Sequence, residues 1–155
     1  MSFRITGLDF EAFRPLVGLS DRDLRERGAR RVRASVTPGF PDRIELRDAD
    51  PGESLLLVNY MHQPADSPYQ ASHAVYVLEY PRESYDRVDE IPKVLRSRMI
   101  SLRAFDAEGM IVSAELCHGT ELEGFIDPLL RDSGTAYVHV HYAKYGCFAC
   151  RADRA

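Results

Sequence analysis

TAYVHVHYAKYGCFAC, residues 135–150, sets the reading of the whole chain. Side chains alternate across an extended strand, so Val138, Val140 and Tyr142 share one face while His139 and His141 share the other. An apolar face opposite a histidine face predicts a half-buried strand over 135–142 that runs into a tight corner.

Upstream of it, Leu122, Phe125, Ile126, Leu129 and Leu130 fall at helical spacing behind Thr120 and Glu123, a capping-box pair. Pro128 predicts a kink, or a restart with Asp127 as cap. Earlier still, residues 99–105 and 110–116 flank Asp106-Ala107-Glu108-Gly109, which reads as a β-hairpin. ESLLLVNY (53–60) is apolar on both faces and predicts a central strand, with HAVYVLEY (73–80) as another. Residues 31–36 and 43–47 also alternate, and 61–72 forms a polar connection stiffened by Pro64 and Pro68. Ile91, Val94 and Leu95 suggest one or two helical turns. Near the start, Asp9 caps a stripe of Phe10, Phe13 and Val17, and Ser20 with Asp23 caps a short helix that Gly28 closes. The expected fold is α+β: one domain over residues 1–155, a mostly antiparallel sheet of about six strands, and two or three helices packed on one face.

Composition narrows the function classes. The chain has 155 residues, 45% apolar and 28% charged, the balance of a globular protein able to bury a core unaided. A net charge of −4 supplies no field for nucleic acid or an anionic membrane. The arginines of 22–33 alternate with Asp21, Asp23 and Glu26, the pattern of a solvated helix face. Apolar runs such as 55–58 fall short of a membrane span, and MSFRITGLDF lacks the apolar stretch of a secretory signal. Three cysteines cannot all pair within one chain, so the expected home is the reducing cytoplasm.

Three groups of residues could carry chemistry. His139 and His141, at i and i+2 on one strand face, can chelate one metal ion. The carboxylate that follows such a pair in cupins is missing, since Tyr142, Ala143, Lys144 and Tyr145 come next. Zinc or iron is therefore chemically admissible there without being the expectation. Cys147 and Cys150 form a CxxC with too little chain beyond it for the helix that activates a redox thiol. With Cys117 and His118 they could complete a Cys₃His zinc site if the two loops meet. Finally, Asn59, His62, Tyr69 and His73 lie on or beside the 61–72 connection, together with Asp66. If that segment covers the His139/His141 face, it closes a polar pocket of up to four imidazoles. P-loop, GxGxxG and GxSxG motifs are absent.

SLLLVNYMHQPADSPYQASHAVYV and AYVHVHYAKYGCFACRADR, with the hairpin and helix of 99–132 between them, resemble a bacterial family known as domain of unknown function 1203. The resemblance implies a small, stand-alone bacterial protein in the cytoplasm. It brings no activity, cofactor or catalytic residue with it. The expected function is recognition of a small ligand or protein partner in a cleft lined by Asn59, His62, Tyr69, His73, His139 and His141. The alternative is a metal- or thiol-dependent enzyme using His139 and His141 with Cys147 and Cys150. Nucleic acid and membrane are not expected partners; a homodimer through a sheet edge or the Tyr76/Tyr80 strand is a third expectation.

Overall fold

The alternation in residues 137–142 becomes a strand held between two others, in a computed structural model that describes residues 1–155. In chain order the strands are β1 (Phe3–Thr6), β2 (Arg30–Arg33), β3 (Ser54–Gln63), β4 (Ala71–Leu78), β5 (Asp86–Val88), β6 (Met99–Phe105), β7 (Ile111–His118), β8 (Tyr137–Tyr142) and β9 (Phe148–Arg154). The α-helices are α1 (Asp21–Glu26), α2 (Lys93–Arg96) and α3 (Leu122–Arg131). Six strands form one sheet in the order β5-β1-β9-β8-β6-β7, and three form a second, β2-β3-β4. Every strand pairing is antiparallel, so the fold is α+β and mostly sheet. No helix is long and apolar enough to cross a membrane.

The larger sheet has two different faces. One packs on α3: Leu122, Ile126 and Leu130 join Ile100, Leu102, Val138, Val140 and Cys150, all fully buried. Removing each such aliphatic side chain from water contributes about 2 kcal/mol. The opposite face carries His139, His141 and the ring of Phe148, and there the smaller sheet and the N-terminal segment close over it. Leu56 and Val58 of β3, Val75 and Val77 of β4, Phe13 and Ile44 form this second core around Phe148.

Several expectations are corrected. The expected antiparallel sheet of about six strands is present, and a second sheet of three strands accompanies it; β1, β5 and β9, which have little local signal, are not among the expected strands. Residues 43–47 are not a strand: Asp42 folds them into a turn, its carboxylate accepting from the amides of Glu45 (2.5 Å) and Leu78 (2.7 Å). The N-terminal stripe is two 3-10 turns, Phe10–Ala12 and Arg14–Leu16, with Asp9 capping the first and Pro15 in the second. Ser20 caps α1 as its sequence predicts. Thr120 does not cap α3; the His118 side chain accepts from the Thr120 amide, and Glu123 pairs with Arg96. α3 runs through Pro128 without a break.

A candidate three-histidine metal centre

β8 delivers two of the imidazoles and β3 the third. His139 and His141 project together toward the smaller sheet, as period-two alternation requires. His62 lies within β3, beyond the point where the connection was expected to begin. Between Tyr60 and Gln63 the β3–β4 register slips through a bulge, a device that redirects side chains, and His62 and Gln63 are both buried there. The three rings meet between the sheets: centroids lie 5.0 Å apart for His62–His141, 5.7 Å for His62–His139 and 6.2 Å for His139–His141. One nitrogen from each ring lies within 4.8 Å of the other two.

Phe148 frames the cluster. Its ring stacks on His62 at 5.1 Å and 7° and stands edge-on to both β8 histidines. Nδ1 of His141 sits 3.0 Å from the Gly146 carbonyl. A carbonyl can only accept, so Nδ1 carries the proton and the Nε2 lone pair is left free. Metal-binding histidines are commonly fixed by this kind of outer hydrogen bond. Nε2 of His141, Nδ1 of His139 and both nitrogens of His62 are buried without a hydrogen-bond partner in the chain. An unpaired buried polar atom costs about 1–3 kcal/mol, so the cluster is expensive as it stands.

Burial in an aromatic shell keeps the rings neutral. Desolvation, with smaller contributions from neighbouring cationic side chains and histidines, lowers the pKa of His62 to about 4 and those of His139 and His141 to about 3. Unfolded, these rings protonate near 6.5, so acid favours the unfolded chain. The loss of stability begins as pH falls through about 6.5 and continues down to the folded values. Between pH 7 and pH 6 it amounts to about 0.7 kcal/mol per ring, or about 2 kcal/mol for three. Urea unfolding of metal-free protein at the two pH values checks this, and His139→Phe should remove about a third of the difference.

A cleft of about 250 Å³ reaches His62 and His139 from outside, between Thr6, Asp9, Tyr60 and Arg151. His141 lies behind, fully buried. None of those four wall residues stood out in the sequence as a site residue, Asp9 being read only as a cap, nor did Phe148, although it sits inside the CxxC.

The other sequence candidates are placed elsewhere. His73 of β4, partnered in register with Tyr60, has its ring 6.1 Å from that of His62 but is only half-buried and lines a second cleft. Asn59 is exposed on β3, and Tyr69 is exposed with its ring edge toward Phe105. The Cys₃His set does not assemble. Cys117 is buried in the α3 core, His118 Nδ1 bonds the Thr120 hydroxyl at 2.8 Å, and Cys150 is buried opposite Val140. Burial pushes the Cys117 and Cys150 thiols above their ordinary pKa, the reverse of thiol activation. Cys147 faces the second cleft, and all three cysteines are free.

Comparison with curated proteins and with solved structures finds no match. A family described as "Protein of unknown function (DUF1203)" matches residues 39–154, a span that holds all three clustered histidines and Phe148. The chain therefore belongs to the DUF1203 family.

Proposed function

We propose that the protein binds one divalent transition-metal ion through His62, His139 and His141, and that a small ligand reaches this centre through the cleft between Tyr60 and Arg151. The carrying observation is the convergence of three neutral imidazoles whose inward nitrogens have no partner in the chain. One cation would satisfy three lone pairs at once. Neutral imidazole suits zinc, iron, nickel and copper, and affinity for zinc exceeds that for ferrous iron at a given site. Three nitrogens on one tetrahedral ion at about 2.1 Å lie about 3.4 Å apart, so capture draws the rings inward by up to about 1.5 Å. Side-chain rotation supplies that much.

The chain's own groups then have separable tasks. The Gly146 carbonyl orients His141; Phe148 holds the plane of His62 and keeps water from the inner side of the cluster. Tyr60, Thr6 and Arg151 offer polar contacts to whatever enters, and an ion bound here would supply Lewis acidity to it. The experiment is a competition titration of metal-free protein with Zn²⁺ against a chromogenic chelator. One equivalent of tight binding is the expected result; the absence of uptake at micromolar metal would overturn the reading.

A further inference from the structure

The second cleft is larger, about 780 Å³, and is built around Arg43, Arg98, Tyr142, Lys144 and Cys147. Arg43 is only 2% exposed, yet it makes no salt bridge. Its guanidinium donates to three uncharged acceptors: the Phe148 carbonyl at 2.8 Å, the Pro41 carbonyl at 2.5 Å and Cys147 Sγ at 3.0 Å. A buried cation without a counter-ion is costly. Across the Tyr142 ring stands a second guanidinium: Arg43 and Arg98 lie 5.0 and 5.3 Å from its centroid. Arg98 is neutralised by Asp48, at 2.7 and 3.1 Å. Lys144 forms no ion pair. The Tyr142 hydroxyl is buried and has no hydrogen-bond partner in the chain. A buried guanidinium without a carboxylate partner and an exposed, unpaired lysine thus border one cavity with the apolar side chains of Leu57 and Met99.

We propose that this cleft binds a small organic anion, its carboxylate or phosphate head between Arg43 and Lys144 and its apolar body against Leu57, Met99 and Tyr76. The volume falls in the range of small-molecule sites and far exceeds that of an inorganic ion. The inference does not rest on the metal centre. The two sites adjoin through Phe148, whose carbonyl holds Arg43 while its ring packs on His62, and through His73, which lines this cleft with its ring 6.1 Å from that of His62.

The test follows amide chemical shifts in the full chain during titration with three probes of similar shape: benzoate, phenyl phosphate and neutral benzyl alcohol. At least one anion should saturate below about 20 mM, shifting Tyr142, Lys144 and Cys147, with benzyl alcohol at least about tenfold weaker. Which anion binds tighter identifies the head group. Arg43→Met would remove the buried charge together with the three hydrogen bonds that hold the surrounding loops, so Lys144→Gln, at the cleft mouth, is the decisive variant. It should weaken the anion about tenfold. The His139→Ala/His141→Ala variant should bind the anion unchanged, which separates this inference from the metal reading. Equal binding of the neutral probe, no saturation by either anion, shifts confined elsewhere, or a Lys144→Gln variant with unaltered affinity would each overturn it.

Discussion

Zn²⁺ added to metal-free protein at about a thousand times its dissociation constant should raise the melting temperature by about 10 °C, and the His139→Ala/His141→Ala variant should show no rise. An ion that binds only the folded chain contributes about 4 kcal/mol at that excess. For a chain of this length each kcal/mol moves the midpoint by about 2–4 °C. The ligands come from both sheets, β3 supplying His62 and β8 the other two, so a bound ion ties the layers together. Removing two of three ligands should weaken binding at least about a thousandfold, or about 4 kcal/mol. Scanning calorimetry of both proteins, with and without metal, reads the effect directly. A rise of equal size in the variant would place the ion elsewhere.

Glu79→Ala should lower stability by about 3 kcal/mol for a different reason. Glu79 follows β4, is 2% exposed, and its carboxylate accepts from Arg31 Nη2 at 2.8 Å, Arg31 Nε at 3.1 and 3.2 Å and the Ser54 hydroxyl at 3.1 Å. Burial acts to raise its pKa, but the bonds from Arg31 and Ser54 outweigh it and hold the carboxyl below its ordinary value. Arg31 also reaches the Leu19 carbonyl and Asp21. One carboxylate therefore joins β2, the start of β3, the end of β4 and the segment leading into α1. Breaking a buried pair by deleting one partner strands the other charge and costs about 3–5 kcal/mol; water reaches part of Arg31, so the lower end applies. Glu11→Ala, which removes an exposed, solvent-screened pair with Arg14, should leave the urea midpoint essentially unchanged. Urea midpoints for the two variants make the comparison. A Glu79→Ala cost below about 1 kcal/mol would show that the pair does not hold the smaller sheet.

What could be read beforehand follows the range of the interactions. β8, the β6–β7 hairpin and α3 announce themselves because each period or turn signal is complete within about ten residues. The shared face of His139 and His141 is local in the same sense. β9 carries little signal of its own because FACRADR does not alternate cleanly: it pairs with neighbouring β8 across a short turn, but its other edge is held by Phe3–Thr6 from the far end of the chain. The CxxC drew attention as a thiol motif, yet its chemistry is structural: Cys150 packs under α3, and Phe148 between the two cysteines is the residue that frames the histidines. Pro64 and Pro68 predict a connection that already includes His62, whereas β3 extends to Gln63 through its bulge. Its approach to β8 depends on how one sheet covers the other, which no local period encodes. Arg43 was equally hidden: RIELR alternates like a strand, and only the fold shows its guanidinium buried without a counter-ion.

X-ray absorption at the zinc edge of the loaded protein probes the coordination sphere itself. Three imidazole nitrogens at about 2.0–2.1 Å, completed by a light solvent or ligand atom and without sulfur, are the expected shell. A Zn–S distance near 2.3 Å, which would bring in Cys147, or a shell with fewer than two imidazoles, would contradict a centre built from His62, His139 and His141.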